Sequence, residues 1–118
     1  MIGGQFVSHP GGDSVKYKIA FNNNHPIVAG LSDIDIETEQ YYLLIDPGVE
    51  VLASTVVDGH DAFWLRGVIM PVAWIREWGR GRVFYCALGH TLDVFENPAV
   101  TMMLKRAAMW ANRNNSVT

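Results

Sequence analysis

Apolar and polar residues alternate over several short stretches of the chain, which is the period of strands with one solvent-facing side. Val15–Phe21 reads VKYKIAF and residues 32–37 read SDIDIE, so both stretches are predicted to be extended and half-exposed. Strands are also predicted at residues 5–8, at 49–57 and at 38–45, where a polar start leads into an apolar, β-prone end. The first half of the chain is therefore predicted to be mainly strand.

Two longer apolar runs, at residues 68–78 and 82–88, flank the connection Gly79-Arg80-Gly81. A glycine-bearing connection this short predicts an antiparallel β-hairpin. Strands as continuously apolar as residues 83–88 are typical of sheets that are covered on both faces.

The C-terminal region shows helical spacing instead. Asn97 is a suitable N-cap, and Pro98 fits the first helical position. Apolar residues then recur on one face of the predicted helix, at Val100, Met103, Leu104, Ala107, Ala108 and Ala111. One amphipathic helix covers only one face of a sheet, so we expect an uncovered sheet face through which the chain self-associates.

Composition indicates one domain without a nucleic-acid or membrane partner. The 118 residues are 49% hydrophobic, which is enough for one modest core. The formal net charge is −3 and the basic residues are scattered, so no nucleic-acid footprint is present. No apolar stretch approaches the roughly 20 residues of a membrane helix, and we expect a cytoplasmic location. The single Cys86 lies inside an apolar run, which excludes a disulfide framework and favours a buried, unreactive thiol.

Two histidines follow predicted strands and are candidates for proton transfer, because imidazole titrates near neutral pH. His90 comes directly after the apolar run 83–88 and Gly89, at the kind of sheet edge where catalytic groups collect. His9 follows a short strand, in a loop that contains Pro10 and two glycines. The alternatives are structural roles, in which His90 caps its turn and His9 fixes its loop by a hydrogen bond.

Five short motifs occur in order along the chain. They are GGQFVSHP at residues 3–10, HPI at 25–27 with GL at 30–31, TEQYY at 38–42, MPVAW at 70–74, and GRGRVFY at 79–85 with LGH at 88–90. Each motif alone is weak, but their order and spacing resemble the ThuA-like (trehalose utilisation) family over nearly the whole chain.

The resemblance implies an α/β fold of the class I glutamine amidotransferase-like (flavodoxin-like) type, in which a parallel central sheet has helices on both faces. ThuA-like domains are nearly twice as long as this chain. We therefore expect residues 1–113 to be the C-terminal part of such a domain and residues 114–118 to be a frayed tail. For this part of the fold we expect a mixed sheet with a β-hairpin and a C-terminal amphipathic helix.

The resemblance also implies sugar metabolism, with a small-molecule substrate such as trehalose or a related glycoside. The family does not keep the cysteine nucleophile of the amidotransferases, and Cys86 lies in a predicted strand, so glutamine hydrolysis is disfavoured. We expect proton-transfer chemistry of a lyase, isomerase or hydrolase type. The alternatives are a non-catalytic carbohydrate-binding or regulatory module and an inactive fragment, so enzymatic activity stays an open question.

Glu39 and Gln40 stand where many family members carry an acidic pair. Neighbouring strand residues face opposite sides, so only one of the two can face a given site. Glu39 is the predicted acid/base residue, with an ordinary surface carboxylate as the alternative, and Gln40 is predicted to hydrogen-bond the substrate. Trp64 and Arg66, in a loop-like stretch, are the other predicted substrate-binding residues, although core packing is the commoner role of tryptophan.

No cofactor is predicted for this chain. It has four histidines, but no HxH, HExxH or CxxC spacing that would indicate a metal site. A divalent metal that joins His9 and His90 to residues outside this chain stays possible.

Overall fold

The computed structural model describes residues 2–12, 14–22, 24–88 and 92–112. Within these ranges the chain forms seven strands, one α-helix and two short 3-10 helices at Phe63–Leu65 and Leu92–Glu96. The strands and the helix are β1 (Gly4–Ser8), β2 (Val15–Phe21), β3 (Ile34–Thr38), β4 (Tyr42–Ile45), β5 (Glu50–Val56), β6 (Ile69–Trp78), β7 (Gly81–Cys86) and α1 (Pro98–Ala111).

The strands form two sheets. Five strands pair in the order β3-β2-β5-β6-β7, and β1 pairs with β4 in a separate two-stranded sheet. Each pairing among the described strands is antiparallel, so the expectation of a mixed sheet was wrong for this part of the chain. The reason lies in the connections, because parallel neighbours need a long crossover whereas β6 and β7 are joined directly at Gly79 and Arg80. The predicted hairpin is therefore confirmed.

The prediction of one strand over residues 38–45 was wrong. β3 ends at Thr38, which pairs with Val15 in the large sheet, and β4 begins at Tyr42, which pairs with Ser8 in the small sheet. Since the two halves have partners in different sheets, residues 39–41 must cross from one sheet to the other. This crossing segment carries Glu39, Gln40 and Tyr41.

The C-terminal helix is confirmed. The Asn97 side chain accepts a hydrogen bond from the Ala99 amide at 2.9 Å, and Pro98 occupies the first turn. Val100, Met103 and Ala107 of α1 are buried, and the last two belong to the core on one face of the large sheet. Within the described ranges no helix has the length and hydropathy to cross a membrane.

The opposite face of the large sheet is centred on Trp74, whose side chain is fully buried. We call its buried surroundings the Trp74 cluster, which consists of Leu43, Val57, Ala62, Leu65, Met70 and Trp74. The indole stacks on Tyr85 at 4.3 Å between ring centroids, and its Nε1 donates a hydrogen bond to the Ile2 carbonyl at 2.7 Å. A Cβ added to Gly4 would lie 2.8 Å from the indole Cζ2, so β1 can lie this close only because position 4 is glycine.

The outer sides of β2 and β3 are exposed and charged. Lys16 pairs in register with Glu37, and Lys18 pairs with Asp35, with all four side chains at the surface. A surface of mixed charge is less prone to nonspecific association than an apolar one. Self-association through an uncovered face stays a prediction.

If Trp74 fixes the small sheet to the large one, its truncation should be costly. We expect Trp74→Ala to lower the free energy of unfolding by about 3–5 kcal/mol, the usual loss for a buried aromatic residue. Trp78→Ala is the matched control, since Trp78 is half-exposed at the end of β6, and it should cost less than about 1 kcal/mol. Equal losses in urea denaturation of the two variants would contradict this role for Trp74.

Candidate functional site

The leading candidate from the sequence, His90, lies outside the described residues, as do Gly89 and Thr91. The frayed tail predicted at 114–118 lies outside them as well. The role of His90 therefore stays a prediction. The site is described here from the other predicted acid/base residues, His9 and Glu39.

The structure brings His9 and Glu39 together. His9 directly follows β1, and Glu39 directly follows β3, at the start of the crossing segment. Because Ser8 pairs with Tyr42, the end of β1 lies beside this segment. His9 Nε2 and Glu39 Oε2 are 3.6 Å apart. This is an ion-pair distance for a protonated imidazole and is longer than a hydrogen bond.

Glu39 is a buried carboxylate, with 7% of the residue exposed. An ionised carboxylate is costly to bury unless charges or hydrogen-bond donors compensate it. Beside the His9 contact, the Glu39 carboxylate lies near enough to the Tyr41 hydroxyl to raise the pKa of Tyr41. The hydroxyl of Tyr17 donates a hydrogen bond to the Glu39 main-chain carbonyl at 2.8 Å, which fixes the backbone of the crossing segment. The surface-carboxylate alternative for Glu39 is thereby excluded.

The two tyrosines are neutral donors at physiological pH. Burial raises the pKa of Tyr41 above its ordinary value, and the charge of Glu39 and its hydrogen bond raise it further. Burial is also the main cause that raises the pKa of Tyr17, with smaller contributions from Cys86, Tyr41 and Glu39. Sequence reasoning named neither Tyr41 nor Tyr17 as a candidate site residue. Tyr41 could have been found from its position two residues after Glu39, whereas Tyr17 has no local signal.

Two buried polar atoms near Glu39 have no hydrogen-bond partner within the described ranges. They are Nδ1 of His9 and Oγ1 of Thr38, the residue that precedes Glu39. Most buried polar atoms in proteins are paired, and exceptions are typical of functional sites. Both atoms are shielded from solvent in the described structure, so neither is open to a ligand in this arrangement.

Gln40 makes its contacts apart from those of Glu39. Its side chain is buried and donates a hydrogen bond from Nε2 to Thr55 Oγ1 at 3.2 Å. Gln40 and Thr55 line a cavity of about 340 Å³ that is bordered by Lys16, Lys18 and Asp58. Neither His9 nor Glu39 is among the residues that line this cavity. The side chains of Glu39 and Gln40 therefore face different places, as predicted. The two residues lie between β3 and β4, and not at the start of a strand.

Trp64 and Arg66 lie at and just after the 3-10 turn Phe63–Leu65. Trp64 is 70% exposed, and its ring meets that of Phe63 edge-on at 5.3 Å. Arg66 packs closely against Gly59, where an added Cβ would lie 2.7 Å from the Arg66 Cβ. Neither residue has a hydrogen bond, ion pair or ring contact with His9 or Glu39 in the part of the chain described. Their role in substrate binding stays a prediction.

The described residues do not include a group of three or more His, Cys, Asp or Glu side chains that could hold a metal ion. His9 and Glu39 supply two potential ligands, which is fewer than a metal site requires. The predicted contribution of His90 lies outside the described ranges. A divalent metal that joins His9 and His90 to residues outside this chain stays a prediction.

Cys86 is a partly buried residue at the end of β7. Burial raises the pKa of its thiol from 9.0 to about 11, although the Leu88 amide lowers it slightly by a hydrogen bond. The thiolate is the nucleophilic form of cysteine, so at neutral pH this side chain is a poor nucleophile. The structure therefore agrees with the prediction of an unreactive thiol.

Comparison with known proteins identifies a family and a solved structure to which the chain is similar. The family model ThuA, described as trehalose utilisation, matches residues 1–111. Among solved structures, the chain is similar to a protein described as ThuA-like from Parabacteroides merdae ATCC 43184, with a TM-score of 0.69 and 23% sequence identity. The match covers 92% of this chain and 40% of that one, so the chain spans about two fifths of the length of its structural relative. At this identity the likeness shows the fold alone. No curated protein matches the chain.

The raised pKa of Cys86 predicts a loss of stability at alkaline pH. The folded state keeps the thiol protonated, so its contribution is fully present below pH 9 and is lost as the pH rises from 9.0 to about 11. The total should be about 3 kcal/mol. We expect the free energy of unfolding to fall less steeply over this range in Cys86→Ala than in the wild type. Parallel pH profiles in urea denaturation would show that the thiol does not titrate this way.

Proposed function

Because the chain belongs to the ThuA (trehalose utilisation) family, we propose that it acts in carbohydrate metabolism and that His9 and Glu39 transfer protons on a sugar substrate. The observation that carries this proposal is the buried Glu39 carboxylate, 3.6 Å from the His9 imidazole. Paired carboxylate and imidazole groups are a common arrangement for general acid–base catalysis.

The geometry suits two groups that act on one substrate atom. At 3.6 Å the two side chains are close but not hydrogen-bonded to each other, so both can approach the same substrate oxygen. The His9 side chain is 37% exposed and that of Glu39 is 9% exposed, so His9 is the partner more open to a ligand.

The substrate class and the wider fold are parts of the same proposal. Trehalose or a related glycoside is the proposed substrate, supported by the description of the family. A class I glutamine amidotransferase-like fold for the whole domain is supported by the sequence resemblance, and a cytoplasmic location stays a prediction. The described part of the chain is a mixed α/β structure with a C-terminal helix, and its likeness to a ThuA-like structure is compatible with that fold.

A non-catalytic carbohydrate-binding module is the second candidate, and the Gln40 cavity favours it. Its volume of about 340 Å³ falls within the usual range of ligand pockets. Amide, hydroxyl, ammonium and carboxylate groups line it, which suits a ligand that carries several hydroxyl groups. This cavity does not need the acid/base pair to bind a sugar.

The acid/base role is tested by turnover of trehalose and its keto derivatives. We expect His9→Ala and Glu39→Gln each to reduce kcat by about 10²–10⁴-fold, the usual contribution of a general acid or base. His60→Ala and Glu37→Gln are the controls, because both positions are exposed and Glu37 lies opposite Lys16 at the outer side of β3. Unchanged rates in the first two variants would refute the proposed chemistry.

The binding-module alternative is tested by calorimetry with trehalose. We expect Gln40→Ala to weaken binding about tenfold, since a buried hydrogen-bonding group is lost from the cavity wall. Lys105→Ala on the exposed side of α1 is the control and should leave the affinity unchanged. Binding that depends on Gln40, with no turnover by the wild type, would favour the module over the enzyme.

A further inference from the structure

The Gln40 cavity is more positively charged than the chain as a whole. Lys16, Lys18 and Asp58 line it, which leaves an excess of one positive charge, whereas the formal net charge of the chain is −3. One oxygen of the Asp58 carboxylate already accepts a hydrogen bond, from the His60 amide at 2.8 Å. The cavity is therefore a cationic place on an acidic protein.

The two lysines lie on the same side of β2. They are two residues apart in the strand, which places their backbones about 7 Å from each other and directs both side chains to one face. Tyr17 lies between them and packs against the core on the other face. Both lysines are exposed, and their long, flexible side chains allow the two ammonium groups to converge on one anion.

Neither ammonium group is neutralised by an ion pair. In the pairing of β2 with β3, Lys16 lies opposite Glu37 and Lys18 lies opposite Asp35. Among the described residues, however, neither lysine forms an ion pair with these or other carboxylates. Glu37 and Asp35 border a neighbouring depression and do not line the Gln40 cavity. Their charges weaken the field of the lysines at a distance, so an anion gains most by direct contact with the ammonium groups.

The inner wall of the cavity adds neutral hydrogen-bond donors. Gln40 Nε2 donates one of its two N–H groups to Thr55 Oγ1 at 3.2 Å. The Thr55 hydroxyl accepts this bond and keeps its own proton to donate. Together with the three N–H groups of each ammonium, donors outnumber acceptors around the cavity. A lining of this kind is complementary to an anionic oxygen.

We propose that the Gln40 cavity binds a sugar that carries an anionic group, a phosphate or a carboxylate, and that Lys16 and Lys18 contact the anion. Gln40 and Thr55 then serve the hydroxyl groups of the sugar. The inference rests on the second candidate function, carbohydrate binding in this cavity, and does not need acid/base chemistry of His9. A neutral sugar would leave both ammonium groups without an anionic partner.

The ligand class is tested by calorimetry with two matched pairs, trehalose 6-phosphate against trehalose and glucuronate against glucose. At least one anionic sugar should bind about tenfold more tightly than its neutral parent, because hydrogen bonds from ammonium to an anion are stronger than those to a hydroxyl group. The advantage should shrink as sodium chloride is added. The pair that shows it identifies the anionic group as phosphate or carboxylate. Inorganic phosphate should bind more weakly than the sugar phosphate, since it lacks the sugar hydroxyl groups.

Substitutions in the cavity should act in opposite directions according to charge. Lys16→Met and Lys18→Met keep most of the side-chain length and remove the charge, so each should lower the affinity for the anionic sugar about tenfold. Asp58→Asn keeps an oxygen for the His60 amide but loses the negative charge, so it should raise that affinity. Lys105→Met, on the exposed side of α1, is the matched control and should change nothing. Circular dichroism would confirm that each variant is folded.

Equal affinities for anionic and neutral sugars, or equal effects of Lys18→Met and Lys105→Met, would overturn the inference. If neutral trehalose still bound in a manner that depends on Gln40, only the preference for an anion would fail and the carbohydrate-binding function would survive. An absence of binding by all four sugars would refute both. Inorganic phosphate that bound as tightly as the sugar phosphate would show a site for anions without sugar recognition, which also contradicts the proposal.

Discussion

The packing of the Trp74 indole against the first strand is the constraint on which the rest of the structure depends. The ring is fully buried, stacks on Tyr85 and binds the Ile2 carbonyl through its Nε1. Gly4 leaves room for it, since a Cβ there would lie 2.8 Å from the indole. β1 is thereby held on the large sheet, and β4 is held beside β1. The two strands set the positions of His9, which follows β1, and of Tyr41, which precedes β4.

This packing creates a polar junction between two apolar cores. The chain leaves the large sheet after Thr38 and enters the small sheet at Tyr42, and the three residues between them carry the buried Glu39 and Gln40. A buried carboxylate without partners costs several kcal/mol, so its surroundings must compensate it. The junction places the His9 imidazole 3.6 Å from this carboxylate. These two side chains are the ones proposed to transfer protons.

The sequence predicted the parts of this structure that depend on local pattern. The alternation in β2, the glycine-bearing hairpin of β6 and β7, and the capped helix α1 each have signals within a few residues. The division of residues 38–45 between two sheets could not be predicted, because alternation does not say which strand will be the partner. The expected mixed sheet was wrong for the same reason. His9 and Glu39 were chosen individually, but their contact depends on the pairing of β1 with β4 and spans 30 residues of chain.

The interaction between His9 and Glu39 is the basis of the proposed site. A double-mutant cycle of unfolding free energies measures this interaction most directly. The wild type, His9→Ala, Glu39→Gln and the double variant would be compared in urea at a pH where histidine is partly protonated. Two side chains in contact within one network should be non-additive by at least about 0.5 kcal/mol, with the second substitution costing less once the first is made. Additive losses would show that the two side chains do not interact, and the proposed site would lose its basis.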